Sequence, residues 1–394
     1  MRRESCAGCG GDLRDFLDLG SSPPADYFPA TPSERETWYP LNVAVCTRCW
    51  LAQLREVIPD GELYGDQYGF RTGSSPGAVR YFGDMAAELL TQYPYLPSRL
   101  TVEIACNDGT FLREIAAAGG PVLGVEPVKP AAEQAREGGL DVIAEPFTAA
   151  LARDIRTSYG AAGMVVACNV AAHVADPADF LGGARILLGA GGVLVAEFQD
   201  LEKLIAGCQA DHVYHEHRFF YSLRSFARLA QSAGLAVTGW VRTRAQGGSL
   251  RVTLARMHGF IPDSSPWLES WEPYASMQDR ALYLKMRLLD LIDAERDEGR
   301  VVAGYGASAK SATLLNWCGV GPVQVPWVED ITPGKIGRFT PGGHIPIRAP
   351  GRAPDTYLLT AWNYLPDVIR RPAIQDFLDV GGRMIVPGPV PVLI

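Results

Sequence analysis

The sequence predicts an α/β protein in which a cysteine-containing N-terminal lobe precedes two Rossmann-like domains. Two CxxC pairs lie within the first fifty residues, and two separate series of short apolar runs alternate with helical patterns. A long helical stretch lies between the two series. Such alternation is typical of doubly wound parallel sheets covered by helices.

Composition limits the kinds of protein this can be. At 394 residues the chain is long enough for two or three domains, and 47% hydrophobic with 20% charged residues is typical of globular proteins. A net charge of −8 disfavours a nucleic-acid partner. No apolar run is long enough to span a membrane, and the start MRRESCAGCG lacks a signal-peptide core. We expect a cytoplasmic monomer that binds neither nucleic acid nor membrane.

The N-terminal cysteines predict a zinc-binding domain over residues 1–75. Cys6, Cys9, Cys46 and Cys49 supply four thiolates, enough to complete a tetrahedral shell around Zn²⁺. A redox CxxC would normally occur once, beside a βαβ pattern, although disulfides or free thiols remain alternatives. Four protein ligands leave no position for a reactive water, so we expect the zinc to be structural.

The first β/α series predicts a domain over residues 76–265. A helix is predicted over Gly77–Tyr93, and the apolar runs RLTVEIAC, PVLGVEP, GMVVACNV and GGVLVAEF predict buried strands. A helical stretch over Ser270–Arg296 leads into the second series, which begins with VVAGYG and continues through TYLLTAWN and GGRMIVPGP. This series predicts a smaller Rossmann-like domain over residues 266–394.

The loop after the first strand of the central domain is a candidate cofactor site. The strand ends near Glu103, the loop contains Asn107 and Asp108, and the second strand ends at Glu126, which is placed to accept hydrogen bonds from ribose hydroxyls. The loop resembles motif I of class I methyltransferases, although the same layout fits nicotinamide dinucleotides. The usual G-x-G-x-x-G of dinucleotide sites is missing.

Several longer words occur in a fixed order along the chain. They are NDGTFL, ADHVYHEHRFFYSL, GGSLRV, GYGASAKSATLLN, PGKIGRFTPGGHIPI and LLTAWN. With the paired CxxC start, they resemble the nucleotide-sugar C-methyltransferase family of deoxysugar biosynthesis, from Cys6 to about Pro389. Members methylate C3 or C5 of 4-keto-6-deoxy sugars carried on thymidine diphosphate. The resemblance implies a zinc lobe, a central class I methyltransferase domain that binds S-adenosylmethionine, and a C-terminal domain that binds the nucleotide sugar.

The resemblance also implies roles for single residues. The YHEH word implies catalytic groups at Tyr214, Glu216 and His217. A tyrosine-rich loop before a serine pair implies cofactor or sugar contacts at Tyr68, Ser74 and Ser75. Other words imply substrate contacts at Asn169 and His173, and diphosphate contacts at Lys310 and Arg338. The glycine-rich turn before Lys310 also offers backbone amides at a helix N-terminus.

The chemistry of these residue types agrees with carbon alkylation. A neutral imidazole suits removal of a proton beside a ketone, and we assign this role to His217. The Tyr214 hydroxyl would donate a hydrogen bond to the enolate oxygen, and Glu216 would orient the imidazole or a sugar hydroxyl. The cluster of His212, His215 and His217 also fits a metal site or purely structural roles.

The sequence departs from the family at three places. Gln246 replaces the histidine of HGGSLRV, Ser311 and Ala312 replace the Gly-Asn of AKGNT, and Phe70 occupies a candidate tyrosine position. These changes leave open which sugar, carbon and nucleotide are used. They also leave three rivals: a methyltransferase for a non-sugar ketone, oxygen or nitrogen; a nicotinamide-dependent oxidoreductase; and a non-catalytic zinc-ribbon module.

Overall fold

A computed structural model describes residues 2–64, 71–257, 259–351 and 353–394. It contains three β-sheets. They follow one another along the chain, except that the fourth strand of the N-terminal sheet comes from the central part of the sequence. The predicted cofactor residue Tyr68 and the family departure at Phe70 lie outside the described residues. Within the described part, no helix is both long and apolar enough to cross a lipid bilayer.

The N-terminal sheet has four antiparallel strands in the order β1-β2-β3-β9. They are β1 (Leu13–Ser22), β2 (Tyr39–Cys46), β3 (Ala52–Leu54) and β9 (Phe219–Phe220). The fourth strand comes from far along the chain, directly after the YHEH word. The predicted boundary at residue 75 stays a prediction, but the N-terminal sheet also includes a strand that begins two residues after His217, the predicted base.

The central sheet has seven strands in the order β10-β11-β8-β7-β4-β5-β6. They are β4 (Leu100–Ile104), β5 (Val122–Val125), β6 (Val142–Ile143), β7 (Ala162–Cys168), β8 (Leu188–Gln199), β10 (Ala236–Thr243) and β11 (Ser249–Ala255). The first five are parallel, and β10 and β11 add an antiparallel edge. The strand order reverses beside β4, which places the loop after β4 at the switch point where such sheets bind ligands.

Helices lie before and between these strands. They are α1 (Asp60–Leu63), α2 (Pro76–Gln92), α3 (Thr110–Ala117), α4 (Lys129–Glu137), α5 (Ala149–Tyr159), α6 (Pro177–Leu187), α7 (Leu201–Ala206) and α8 (Leu223–Ser232). Helix α2 starts where Ser75 caps the Ala78 amide and Pro76 occupies the first turn. Short 3₁₀ turns lie at Thr72–Ser74, Leu96–Ser98, Ala210–His212, Ala245–Gly247, Pro266–Glu269 and Trp362–Tyr364.

The C-terminal sheet has six strands in the order β14-β13-β12-β15-β16-β17, parallel except for the last pair. They are β12 (Val302–Tyr305), β13 (Val328–Glu329), β14 (Ile347–Arg348), β15 (Thr356–Leu358), β16 (Arg383–Val386) and β17 (Val392–Leu393). Its helices are α11 (Ala309–Cys318), α12 (Leu365–Val368) and α13 (Pro372–Asp379). This parallel sheet with an antiparallel edge agrees with the predicted second Rossmann-like domain.

The helical stretch between the two series is divided. We predicted one stretch over Ser270–Arg296, whereas the structure has α9 (Glu272–Ala275) and α10 (Met277–Asp297). The backbone at Ser276, with φ −89° and ψ −4°, departs from α-helical values and interrupts the hydrogen-bond pattern. Helix α10 packs against the N-terminal lobe, because Met277 shares an apolar cluster with Leu41 and Phe220.

Candidate active site and zinc centre

The four N-terminal cysteines converge on one point. Their sulfur atoms all lie within 4.8 Å of one another. Cys6 and Cys49 are separated by 3.6 Å between sulfurs, and Cys9 and Cys46 by 3.5 Å. Tetrahedral coordination with Zn–S bonds of about 2.3 Å requires sulfurs roughly 3.8 Å apart. The observed spacing therefore fits a Cys₄ zinc centre with no open position for substrate.

The polypeptide around this centre is arranged to stabilise thiolates. The Gly8 amide donates to Cys6 Sγ at 3.3 Å, and the Arg48 amide donates to Cys46 Sγ at 3.4 Å. Strand β3 follows the second cysteine pair along the chain and pairs with β9. The Leu54 amide donates to the Arg218 carbonyl at 3.0 Å. The zinc centre is thus connected through backbone hydrogen bonds to the segment that carries the YHEH word.

The candidate cofactor loop has an unusual backbone. Ala105 and Asn107 have φ values of +53° and +51°, which non-glycine residues rarely adopt and which cluster at functional sites. Gly109 begins α3 with φ +78°, and an added Cβ would lie 2.2 Å from Leu140 Cδ1. The loop therefore turns tightly at the end of β4, which allows a ligand to approach its backbone.

Two buried carboxyl groups face this loop. Glu126 accepts the amides of Asn107 and Val128, each at 2.8 Å. Glu103 has one buried carboxyl oxygen, Oε2, without a hydrogen-bond partner among the described residues. Burial, followed by the charge of Glu126, raises the pKa of Glu103 well above its usual range. A buried unsatisfied acceptor at the switch point fits a ligand that brings donors, such as the hydroxyl and amino groups of S-adenosylmethionine.

The other predicted cofactor contacts hold the loop together. Asp108 accepts the Gly73 amide at 2.7 Å through Oδ2 and the Thr110 hydroxyl at 2.6 Å through Oδ1. Ser75 caps α2, and the Ser74 hydroxyl donates to the Arg71 carbonyl at 2.6 Å. Asp108 thus joins the 72–75 turn to the cofactor loop, whereas the two serines stabilise the turn and the start of α2. Direct contacts from these three side chains to the cofactor stay a prediction.

The predicted catalytic residues form a hydrogen-bonded pair. His217 Nδ1 lies 3.2 Å from the His212 carbonyl oxygen, which can only accept, so Nδ1 carries the proton. His217 Nε2 is therefore the acceptor, and the Tyr214 hydroxyl donates to it at 2.7 Å. Burial, followed by the neighbouring His173 and Lys310, holds the pKa of His217 well below its usual range. The imidazole is a neutral base.

His173, a predicted substrate contact, lies against this pair. Its ring centroid is 4.9 Å from that of His217, and its Nδ1 is hydrogen-bonded to Tyr64 Oη at 2.9 Å. Burial lowers the pKa of His173 to about 4. Asn169 follows β7 with φ +56°, and its amide donates to the Glu197 carbonyl at 2.7 Å. Both substrate contacts stay a prediction.

Glu216 contacts the loop after β1, and its predicted contact with a sugar hydroxyl stays a prediction. Its Oε1 accepts the backbone amides of Ala25 at 3.0 Å and Asp26 at 3.3 Å. Both ring nitrogens of His217 already have other partners, so Glu216 does not orient that imidazole. Instead its carboxyl group fixes the loop after β1 against the reaction site.

Lys310 is buried rather than exposed. It is the second residue of α11, only 6% exposed, and its Nζ donates to Gln246 Oε1 at 3.0 Å. Burial lowers its pKa to about 8, and the charge of Asp211 partly opposes this. Gln246, which stands where relatives have histidine, is held at φ +53°. This departure therefore touches the predicted diphosphate lysine directly, across the boundary between the central and C-terminal sheets.

The second predicted diphosphate residue, Arg338, contacts the N-terminal lobe. Its guanidinium donates to the Phe28 carbonyl at 3.0 Å. A neighbouring cation, Lys335, donates instead to the Ala307 carbonyl at 2.7 Å, in the glycine-rich turn before α11. Lys335 therefore lies at the predicted diphosphate turn, and no sequence pattern favours it over Arg338.

The altered residues at the start of α11 also have a local explanation. The Ser308 and Ser311 side chains form a capping box, with the Ser311 amide donating to Ser308 Oγ at 3.3 Å and the Ser308 amide donating to Ser311 Oγ at 2.6 Å. Ser311 thus stabilises the helix start where relatives have glycine. Thr313 donates to the Val213 carbonyl at 3.0 Å, which joins α11 to the segment before Tyr214.

Two residues near the catalytic pair were missed by the sequence reasoning. Tyr64 contacts His173, and its hydroxyl also donates to the Glu216 carbonyl at 3.3 Å. Asp26 lies on the loop held by Glu216, and its charge contributes to raising the pKa of the Tyr214 hydroxyl. Both belong to the N-terminal lobe, far in sequence from the YHEH word, so no local pattern could have identified them.

Comparison with known proteins supplies the family. Three family profiles match in order along the chain: a zinc binding domain over residues 6–64, a methyltransferase domain over 80–239, and a C-methyltransferase C-terminal domain over 244–390. The C-methyltransferase NovU of Streptomyces niveus is 33% identical over 406 aligned positions, covering 98% of this chain and 96% of that protein.

Solved structures resemble the protein more distantly. The CcbJ methyltransferase of Streptomyces caelestis is 15% identical with a TM-score of 0.38, covering 50% of this chain and 98% of that one. Magnesium protoporphyrin IX methyltransferase of Synechocystis PCC 6803 is 15% identical with a TM-score of 0.36, covering 50% and 86%. The assignment rests on the full-length relative and the three profiles. The chain belongs to the S-adenosylmethionine-dependent C-methyltransferase family that has an N-terminal Cys₄ zinc lobe and a C-terminal C-methyltransferase domain.

Proposed function

We propose that the protein methylates a ring carbon, C3 or C5, beside the ketone of a 4-keto-6-deoxy sugar carried on thymidine diphosphate. C-methyltransferase membership excludes the oxygen and nitrogen acceptors, the nicotinamide-dependent oxidoreductase and the non-catalytic module as alternatives. The sugar is supported by the family words quoted above, which include the segments around Lys310 and Arg338. A non-sugar ketone remains the competing substrate.

The observation that carries the proposal is the Tyr214–His217 pair. His217 Nε2 is the unprotonated nitrogen of a buried neutral imidazole, and its partner is a phenol hydroxyl 2.7 Å away. When a ketone is bound, the Tyr214 hydroxyl would turn from Nε2 to the ketone oxygen. That movement would free Nε2 to take the α-proton and would place a donor where negative charge develops.

The remaining residues would position the reactants. S-adenosylmethionine supplies an electrophilic methyl group when bound beside Glu103 and Glu126. His173, through its contact with Tyr64, would hold the His217 ring in place and keep water from the base. Holding the enolate carbon in line with the donor would contribute much of the acceleration, because a bimolecular step becomes effectively unimolecular.

Product analysis tests this function. Purified zinc-loaded protein is incubated with S-adenosylmethionine and a 4-keto-6-deoxy sugar nucleotide, followed by mass spectrometry and NMR. The proposal expects a mass increase of one methyl group, with the new methyl attached to C3 or C5. A methyl group on oxygen, or transfer only to non-sugar ketones, would contradict it.

A further inference from the structure

The loop after β1 brings an acidic side chain into the reaction site. The Ala25 and Asp26 amides donate to Glu216 Oε1 at 3.0 and 3.3 Å, so the backbone of Asp26 lies directly against the Glu216 carboxyl group. Glu216 is in turn two residues from Tyr214 and adjacent to His217. Burial, followed by the charge of Asp26, raises the pKa of Glu216 to about 8, so the Asp26 carboxyl group also lies near that of Glu216.

This acidic pair lacks the partners that buried carboxyl groups usually have. Glu216 is 1% exposed, and its Oε2 is buried without a hydrogen-bond partner in the part of the chain that the structure describes. No hydrogen bond or ion pair joins the Asp26 carboxyl group to any described residue. Burying a carboxyl oxygen such as Glu216 Oε2 without a partner is costly, and such an atom beside a candidate reaction site indicates a missing ligand.

Lys335 does not form an ion pair with either carboxyl group. Lys335 acts on Asp26 electrostatically, but its Nζ donates to the Ala307 carbonyl at 2.7 Å and lies 4.7 Å from the centre of the Phe28 ring. The histidines at the site are held neutral by burial. The two other cations near the site have partners elsewhere, because Lys310 donates to Gln246 and Arg218 pairs with Asp60. Neither is hydrogen-bonded to the carboxyl groups of Asp26 or Glu216 in the described part of the chain.

The chemistry of this arrangement distinguishes between ligands. A neutral hydroxyl donates one hydrogen bond, and it would leave the second carboxyl group without a partner. An ammonium group has three donors and a positive charge, so it can satisfy Glu216 Oε2 and Asp26 together. We propose that Asp26 and Glu216 form a subsite that selects a nucleotide-linked keto sugar carrying a protonated amino group on its ring. This inference rests on the proposed function, whose keto-sugar substrate it specifies further.

Competition between two substrates tests the inference. The probes are 4-keto-6-deoxy sugar nucleotides that differ only in an amino or a hydroxyl group at C3. We expect the wild-type protein to favour the amino sugar in kcat/KM by about 10- to 100-fold, the range for charge-assisted hydrogen bonds. Asp26→Asn should lower this ratio by about tenfold or more, and Glu216→Gln should shift it in the same direction.

The control and the opposing results keep the two proposals separate. Asp18→Asn removes an exposed acid of β1 whose carboxyl group accepts the Gly20 amide, and it should leave the ratio unchanged. Equal use of both sugars by the wild-type protein, or a preference for the hydroxyl sugar, would overturn the subsite but not sugar methylation. An unchanged ratio in Asp26→Asn would do the same. Methylation of neither sugar would refute the proposed function itself, and the subsite with it.

Discussion

The two halves of the candidate site are built in different ways. The cofactor half comes from one β-loop-α-β unit, in which Glu103 and Glu126 end neighbouring strands and the loop between them carries Asn107. The catalytic half combines His217 with Tyr64 from the N-terminal lobe, His173 from the central domain and Lys310 from the C-terminal domain. The first half depends on local hydrogen bonds and the second on packing between distant segments.

This difference separates binding from chemistry. A substitution in the cofactor loop should weaken cofactor binding and leave proton removal intact, and the reverse should hold for the catalytic half. The zinc lobe belongs with the catalytic half, because β3 pairs with β9, which begins two residues after His217. No described strand of that lobe joins the central sheet. The following predictions test this separation, from the largest expected effect to the smallest.

Replacing the base should have the largest effect. His217→Asn should lower kcat by about 10²- to 10⁴-fold, the usual contribution of a general base. Calorimetric binding of S-adenosylhomocysteine should stay within about twofold of wild type, because the cofactor half is unchanged. His344→Asn, at a contact with Glu36, is the matched control and should keep activity. Parallel loss of binding and turnover in His217→Asn would show that the halves are not separable.

The pH dependence follows from the same residue. Burial holds the pKa of His217 well below its usual value near 6.5, and the neutral form is the base. Activity through this group should therefore be present at neutral pH and fall only as the pH decreases below the usual histidine range. A profile of kcat/KM against pH checks this. An inflection at or above 6.5 that disappears in His217→Asn would contradict the assigned burial.

Zinc removal should affect the catalytic half selectively. The zinc-free protein should turn over about 10²-fold more slowly than the zinc-loaded protein, because displacement of a catalytic group by about 1 Å has effects of that size. Protection against hydrogen exchange should fall in β3 and β9 first, while S-adenosylhomocysteine still binds. Measuring the zinc content of the same samples relates the fall in turnover and the loss of exchange protection to the loss of metal. Hydrogen exchange that rises first in β4 and β5 would contradict the connection between the zinc lobe and the catalytic half.

A change in the cofactor half should have a smaller and complementary effect. Glu126→Gln should weaken S-adenosylmethionine binding by about tenfold, since a hydrogen bond to a charged group contributes roughly 1.5 kcal/mol or more. At saturating cofactor, kcat should stay near the wild-type value. Steady-state kinetics with both substrates varied measures this. A fall in kcat with an unchanged KM for the cofactor would show that Glu126 belongs to the catalytic half and not to the cofactor half.

The smallest effect is expected at the departure from the family. Gln246→His should change kcat/KM at neutral pH by about threefold or less, because the imidazole can also accept a hydrogen bond from Lys310. The variant should gain a pH dependence that the wild-type protein lacks, since histidine titrates and glutamine does not. Kinetics between pH 5 and 8 make the comparison. Identical pH profiles for the wild-type protein and Gln246→His would show that residue 246 does not affect the substrate.

Sequence patterns predicted the local half of the site well and the distant half only in part. The acid at the end of β5 and the three-residue spacing of Tyr214 and His217 are visible in the sequence. Asp26 and Tyr64 are not, because only folding of the N-terminal lobe brings them to the site. Ser75 illustrates a different limit: a serine before Pro76 also predicts a helix cap, and that is the role the structure gives it.

Lys310 shows how burial changes the interpretation of a single residue. Its position after a glycine-rich turn predicts a phosphate ligand, which stays a prediction. The structure places its buried ammonium group beside Gln246 and near His217. A sequence pattern identifies residue type and local backbone, but not which neighbouring domain covers a side chain. The contact that decides its environment comes from the central domain, about sixty residues earlier in the chain.

Hydrogen exchange at the substrate carbon tests the central proposal most directly. The zinc-loaded protein is incubated in deuterium oxide with a 4-keto-6-deoxy sugar nucleotide and S-adenosylhomocysteine, and deuterium at C3 and C5 is followed by NMR. With an imidazole as base, the wild-type protein should introduce deuterium at the carbon that it methylates, and His217→Asn should not. Equal exchange by both proteins would contradict the role of His217, as would methylation of that carbon by the variant at the wild-type rate.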